Sequence, residues 1–217
     1  MNYEIWGQAT PAVTIHLDKG ETLSTHEGGM SWMSADMEMT PAGSKGLFGP
    51  KESFSTNYVA KADNQEITFS ATRSGEIKVF DIAPGKEIIA QESLLLCAEP
   101  TVEAKTFQAN ISGSLYGNPG YMYQQYEGQG KLFLEFRGAV KQKYLEAGEK
   151  LIAESGNAAA WEATVSHEVQ FVRDSKSMLF KGKGTLITVL TGPGKVYLQT
   201  APVIELAKRL MPYIEDK

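Results

Sequence analysis

A shortage of cysteine and the absence of long hydrophobic runs are the first constraints on this chain. Cys97 is the only cysteine among 217 residues, so an internal disulfide framework is excluded. It lies in the apolar run 94–98, which is the longest in the chain and far too short to span a bilayer. Residues 1–6 have neither the basic nor the apolar stretch of a secretory signal peptide. We therefore expect a cytoplasmic protein of a reducing compartment without a transmembrane segment.

Positive charge is also in short supply. Lysine and arginine number 21 against 26 acidic residues, which gives a net charge of −5. Broad nucleic-acid or anionic-membrane surfaces need a basic excess, so the composition disfavours both partners. Local basic groups do occur in 45–51 and 173–183, and 113–126 holds tyrosines of the kind that stack on bases. Solvated loops and packed tyrosines are the simpler interpretation.

The three histidines do not have the spacing of a metal site. His16, His26 and His167 are far apart, whereas a cupin-type site needs two histidines one residue apart, a nearby carboxylate and a third histidine. Four methionines within 30–39 surround Trp32, and thioethers select Cu(I), but methionine is also an adaptable filler of cores. Packing is the preferred interpretation, and we predict no metal and no cofactor.

Catalytic motifs are missing as well. The chain has no Gly-x-Ser-x-Gly elbow, and 181–185 lacks the upstream glycine of a phosphate-binding loop. Apolar neighbours should raise the pKa of the Cys97 thiol and leave it inert. Carboxylates such as Glu127 and Glu135 form no recognisable acid–base pair. We predict that the protein is not an enzyme and has no catalytic residues.

What the chain does contain is an internal repeat. A short apolar–polar–Gly turn recurs at 17–21, 82–86 and 145–149, and its glycines, Gly20, Gly85 and Gly148, are 65 and 63 residues apart. An alternating stretch follows each turn. This period exceeds the 20–50 residues of solenoid repeats, so each unit is predicted to be a small module of short strands. We expect an all-β, double-stranded β-helix or sandwich-like domain of three pseudo-repeats, approximately 1–80, 81–144 and 145–200, around a shared apolar centre.

One helix is predicted after the third repeat, over 202–214. Its apolar residues follow the i, i+3, i+4, i+7 pattern from Val203 to Ile214. Pro202 suits a first turn, with Thr200 or Ala201 as caps, and Pro212 should disturb the last turn. We expect the apolar stripe to pack against the β domain or a neighbouring subunit.

A second marker with the same period is a loop that carries a leucine followed by an aromatic residue. Large apolar residues in surface loops either fold back onto the core or form a contact with another subunit or partner. The contact is the preferred hypothesis. The candidate interface residues are Leu47, Phe48, Leu115, Tyr116, Leu179 and Phe180.

These features together resemble a known family. The opening Met-Asn-Tyr-Glu-Ile, the Leu-x-x-Gly-Glu turn, the Gly-Leu-Phe-Gly loop at 46–49 and the segment 190–200 are similar to the altered-inheritance-of-mitochondria (mitochondrial biogenesis) family, in its bacterial branch. The resemblance covers essentially the whole chain. It implies a fold similar to the tryptophan-RNA-binding attenuator protein and assembly into homo-oligomers such as trimers. No activity or ligand is established for that family, so no functional residue is transferred. Tyr116 and Lys181 depart from the Phe-Gly loop pattern.

The sequence leaves three functions open. The preferred one is a non-enzymatic, homo-oligomeric scaffold or interaction protein with an unidentified protein partner. The alternative is a small-ligand or nucleic-acid binding module of attenuator-like fold. A metal-dependent enzyme is the least favoured, because no ligand set or catalytic motif supports it.

Overall fold

Alternating apolar and polar residues produce strands along nearly the whole chain. The computed structural model describes residues 1–26, 29–42, 54–109, 111–112, 122–172 and 185–213. Within these ranges the regular structure is β-strand apart from two short 3-10 helices, Glu92–Leu94 and Met211–Tyr213, and one α-helix near the C-terminus. The predicted all-β class is confirmed.

The strands are short, as expected from closely spaced turns. In chain order the described strands are β1 (Asn2–Trp6), β2 (Ala12–Leu17), β3 (Thr22–Thr25), β4 (Trp32–Met33), β5 (Met37–Pro41), β6 (Thr56–Ala60), β7 (Gln65–Ser70), β8 (Gly75–Ile82), β9 (Ile88–Gln91), β10 (Leu95–Ala98), β11 (Val102–Gln108), β12 (Ile111–Ser112), β13 (Met122–Gly128), β14 (Gly130–Arg137), β15 (Val140–Leu145), β16 (Lys150–Glu154), β17 (Ala158–Glu162), β18 (Ser166–Val172), β19 (Thr185–Thr191) and β20 (Gly194–Gln199).

These strands form four sheets. Sheet A has the order β1-β2-β7-β4, and sheet B has the order β5-β6-β3-β10-β14-β8. Sheet C has the order β11-β13-β9-β17-β20-β15, and sheet D has the order β12-β18-β19-β16. The pairs are antiparallel except for β12 with β18. Sheets B and C each combine strands from distant parts of the chain, so they tie the molecule together.

The buried apolar residues form three clusters, each built mainly from two successive sheets. The first joins sheets A and B and includes Ile15, Phe69 and Phe133. The second joins sheets B and C, and the third joins sheets C and D around Trp161. The expectation of one shared apolar centre is therefore wrong. The sheets are stacked in the order A, B, C, D, because each cluster fills the space between two successive sheets.

Strands of the two middle sheets are buried on both faces. All four residues of β9 and of β10 are buried, and so are the first four of β17. This explains the continuous apolar run 94–98, since a strand covered on both sides has no polar face. In sheets A and D, strands such as β2 and β18 expose some of their residues. The middle sheets therefore form the interior of the molecule.

The three predicted glycine turns have one conformation. Gly20, Gly85 and Gly148 have φ values of 90°, 79° and 79°, in the left-handed region that favours glycine. In each turn the amide that follows the glycine donates to a carbonyl three residues earlier, as from Glu21 to Asp18 at 2.9 Å. The shared phrase in the sequence therefore corresponds to one local structure.

The helix α1 spans Val203–Leu210, and a 3-10 turn, Met211–Tyr213, follows it. It is shorter than predicted, and residue 214 lies outside the described residues. Its N-cap is Pro202, without a side-chain capping bond, so capping by Thr200 or Ala201 is wrong. The Thr200 hydroxyl instead accepts a hydrogen bond from the Ala139 amide at 2.9 Å.

Candidate interaction surfaces

Among the described residues each sheet ends on both sides in a strand with a single neighbour, and β4 of sheet A and β16 of sheet D are two of these strands. β4 is the last strand of sheet A and pairs with β7. β16 is the last strand of sheet D and pairs with β19. Within the described residues the outward backbone groups of both strands have no strand beside them. Such an edge is a template for pairing with another chain.

The outer face of sheet A carries two exposed tryptophans. Trp6 and Trp32 lie with ring centroids 6.1 Å apart, and 43% and 51% of their surfaces are exposed. Trp6 Nε1 donates to Thr14 Oγ1 at 3.0 Å, and that hydroxyl lies 2.9 Å from Thr68 Oγ1. These four residues, Trp6, Thr14, Trp32 and Thr68, are called the tryptophan face below. Aromatic residues of this kind are enriched at protein interfaces.

The edge strand β16 of sheet D exposes Ile152 between two charged residues, Lys150 and Glu154. Ile152 is 64% exposed, although it stands in the middle of β16. It lies opposite Val189 of β19, which is partly exposed, and Val189 lies opposite Glu168 of β18. An exposed isoleucine on an open edge strand is a recognised risk for uncontrolled association unless something covers it.

A cleft of about 710 Å³ lies where α1 meets the ends of several strands. Arg73, Arg137 and Arg209 line it together with Glu205. Three guanidinium groups in one cleft are notable on a chain of net charge −5. Arginine groups of this kind recognise carboxylate and phosphate.

Arg137 is the buried arginine of the cleft. Its terminal nitrogens donate to the hydroxyl and the carbonyl of Ser93 at 3.2 and 3.1 Å, and Glu135 lies 3.7 Å away. Among the described residues its Nε has no hydrogen-bond partner. Burial lowers the pKa of Arg137, the Glu135 carboxylate raises it, and the nearby Arg73 lowers it further.

The histidines are widely separated in the structure. His16 lies on the outer side of sheet A, with Nδ1 3.4 Å from the Glu66 carboxylate. His167 packs against the rings of Phe107, Tyr123 and Trp161 at centroid distances of 5.0 to 5.8 Å, and burial lowers its pKa. In the part of the chain that the structure describes, no three His, Cys, Asp or Glu side chains come together as a metal site.

The methionines near Trp32 have packing roles. Met37 is buried in the cluster between sheets A and B, and Met30 and Met33 pack against that cluster. Met39 is exposed on β5. Their thioethers thus serve at least in part as core filling, which is the interpretation preferred from the sequence.

Other residues singled out from the sequence also have structural surroundings. Cys97 is buried, and burial raises the pKa of its thiol well above the usual value, as predicted. Glu135 accepts hydrogen bonds from the Thr72 amide and hydroxyl at 2.6 and 2.8 Å. Glu127 pairs with Lys105 on the surface.

The candidate interface residues belong to the three loops predicted from the sequence. Leu47, Phe48, Leu115, Tyr116, Leu179 and Phe180 all lie outside the described residues, so their role in a contact stays a prediction. The sequence reasoning missed the edge at Ile152 and the tryptophan face. The signal in the sequence that could have indicated the edge is the equal spacing of Ser24, Ile89 and Ile152, each four residues after a turn glycine.

Comparison with known proteins adds the family. The model of the family described as mitochondrial biogenesis AIM24 matches residues 3–201. The chain belongs to this family. The resemblance drawn from the opening residues, the glycine turns and the segment 190–200 is thereby confirmed. None of the curated proteins compared with the chain matches it.

Solved structures confirm the fold. The crystal structure of a protein from Streptococcus pyogenes is similar to this AIM24 family chain, with a TM-score of 0.80 and 18% identity over 98% of this chain and 99% of that chain. At this identity the likeness concerns the fold alone. The likeness to the tryptophan-RNA-binding attenuator protein stays a prediction. No helix in the described ranges is long and apolar enough to cross a membrane.

Proposed function

We propose that this AIM24 family protein is a non-enzymatic, cytoplasmic, homo-oligomeric scaffold or interaction protein. The observation that carries the proposal is the exposure of Trp32 and Ile152 on β4 and β16, two of the strands that end a sheet among the described residues. Monomeric proteins usually protect such edges with charges, bulges or a covering loop. Apolar exposure at both edges supports association with further chains.

We also propose that the chain consists of three β modules with the boundaries 1–80, 81–144 and 145–200. The equal conformations of the three glycine turns support this division. So does the strand order: the first half of sheet B and the first half of sheet C use strands at the same distances from their turns. Under this proposal a chain is a row of three modules, with β4 in the first sheet and β16 in the last.

The mass of the protein in solution tests the proposed assembly. We expect light scattering to give an integral multiple of the 23.7 kDa chain mass at micromolar concentration, with a trimer as the expected multiple. Absorbance at 260 nm in the same sample reports carried nucleic acid, which the net charge disfavours. A protein that stays monomeric up to high micromolar concentration would contradict the proposal.

A second candidate function is binding of a small anionic ligand, and the arginine cleft favours it. Arg73 and Arg209 are exposed at the cleft, while Arg137 is buried there with its Nε unsatisfied among the described residues. An anion held by Arg73 and Arg209 would offset the repulsion between neighbouring guanidinium groups. This candidate is compatible with assembly, because the cleft uses neither open edge.

Inorganic phosphate is the probe for this candidate. Ligand at about 100 times its dissociation constant stabilises a fold by about 2.7 kcal/mol, so we expect phosphate to raise the melting temperature by roughly 5 °C. Arg73→Gln and Arg209→Gln should abolish the rise, whereas Lys86→Gln, exposed in the turn beyond the far end of β8, should keep it. Equal shifts in all variants would show general ionic stabilisation and would exclude the cleft as the site.

A further inference from the structure

We propose that copies of this chain join head to tail by strand addition, with β16 of one copy antiparallel to β4 of the next. The inference rests on the proposed homo-oligomeric function and names the surfaces that assemble. Its basis is the way in which sheets B and C are built within a single chain. In sheet B, β3 pairs with β10, and in sheet C, β9 pairs with β17, both antiparallel. The described part of the chain contains no such neighbour for β16 or for β4.

Equal distances from the glycine turns identify β16 as the counterpart of β3 and β9. Ser24, Ile89 and Ile152 each stand four residues after a turn glycine. Ser24 lies opposite Ala98 of β10, and Ile89 lies opposite Trp161 of β17. Ile152 is the member of this series that has no opposite residue on that side within the described chain.

The same distances identify β4 as the counterpart of β10 and β17. Met33, Ala98 and Trp161 each stand 13 residues after a turn glycine. Each also pairs in the same way with the strand that closes its unit: Met33 with Ile67, Ala98 with Leu132 and Trp161 with Val196. The register within sheets B and C therefore places Ile152 of one copy opposite Met33 of the next.

Burial supports this assignment for β16. Ser24 and Ile89 are both buried, and each lies opposite a residue of the following unit. Ile152 holds the corresponding place and is 64% exposed. An exposed isoleucine at a place where both counterparts are buried is expected if a second copy covers it.

Burial supports it equally for the tryptophan face. Cys97 and Ala160 each stand 12 residues after a turn glycine. Both lie in the middle sheets and have no exposed surface. Trp32 holds the corresponding place in β4 and is 51% exposed. The cross-strand partners of Cys97 and Ala160 are Phe133 and Tyr197, and both lie in the cluster shared with the preceding unit. By the same geometry, the tryptophan face would cover the third cluster of the preceding copy.

The contact joins two different surfaces, so it is heterologous. Such a contact gives a closed ring if its rotation closes and a filament if it does not. A trimer of three-module chains is the ring that corresponds to the expected mass. In either form every edge of the β4 and β16 type is paired, except at filament ends.

An engineered disulfide tests the register. Residues directly opposite in an antiparallel pair have Cβ atoms about 4.5–5.5 Å apart, close to disulfide geometry. Met33→Cys combined with Ile152→Cys should give, after mild oxidation, a ladder of covalently linked chains on a denaturing gel. The native Cys97 is buried and has a raised thiol pKa, so it should not take part. Each single variant should give at most background linkage.

A displaced pair is the matched control. Met33→Cys with Glu154→Cys moves one thiol two residues along β16 and should link at least about tenfold less. If light scattering shows oligomers while the Met33–Ile152 pair links no better than this control, strand addition in this register is wrong although the proposed function survives. If the protein is monomeric, both the function and the inference fail.

A charge substitution provides an independent readout. Ile152→Lys would bury an unpaired ammonium at the contact and should weaken assembly by about 100-fold or more. Tyr144→Lys, at an exposed position on the edge strand β15, is the control and should keep the wild-type mass. Circular dichroism should show the same fold for both variants. An Ile152→Lys protein that retains the wild-type mass at low micromolar concentration would overturn the proposal.

Discussion

Trp161→Ala should lower the free energy of unfolding by about 3–5 kcal/mol, the usual cost of removing a large aromatic side chain from a packed core. Trp161 has no exposed surface and lies in the cluster between sheets C and D. Its ring lies edge to face with Tyr123 at 5.1 Å and contacts His167 at 5.0 Å. Few side chains could fill the cavity, because the surrounding strands are fixed in two sheets.

Denaturant unfolding, monitored by far-ultraviolet circular dichroism of the backbone, would measure this loss of stability. Tyr144→Ala is the matched control, since Tyr144 is an aromatic residue of the same sheet with 55% of its surface exposed. That variant should change stability by about 0.5 kcal/mol or less. Equal losses in the two variants would show that the cluster between sheets C and D does not stabilise the fold as described.

Gln91→Leu should destabilise the protein by about 2–4 kcal/mol, although leucine is apolar and similar in size. The buried Gln91 amide donates to the carbonyls of Ser155, Gly156 and Ala158 at 2.9 to 3.3 Å. Gln199 joins the same network, donating to the Gly156 carbonyl at 2.9 Å. Leucine would remove the donor and leave polar carbonyls buried beside an apolar group.

These hydrogen bonds connect β9 to the turn between β16 and β17, where two proposed modules meet. Gln142→Leu, at an exposed site on β15, is the control and should be nearly neutral. Thermal unfolding of both variants would separate the network from a general effect of the substitution. A Gln91→Leu protein as stable as the control would show that this junction does not depend on the glutamine.

Local features of the fold were predictable from the sequence. The turns at Gly20, Gly85 and Gly148 were predicted because glycine permits positive φ, and they occur as expected. The helix was predicted from its apolar period, although its cap at Pro202 and its end at Leu210 were not. The buried state of Cys97 followed from the apolar run around it.

The assembly of strands into sheets was not predictable in the same way. The pairing of β3 with β10, or of β9 with β17, joins residues about 70 positions apart, and turn chemistry does not encode such long-range partners. One shared centre was expected because a single module seemed too small to be stable. The structure instead has three clusters, each between two successive sheets.

The open edges escaped notice for the same physical reason. Ile152 follows the alternating pattern of an ordinary half-buried strand, so nothing local marks it as exposed. Within the described residues no strand lies beside β16 on its outer side, and the residues of β16 alone do not reveal this. Arg137 is a similar case, because its burial beside Ser93 depends on strand packing.

Hydrogen exchange at two protein concentrations tests head-to-tail strand addition most directly. The account predicts that amide protection in β4 and β16 increases as the concentration rises, while β8 and β15, the outer strands of sheets B and C, stay unchanged. Oligomers in which β4 and β16 exchange as fast as in a dilute sample would contradict it.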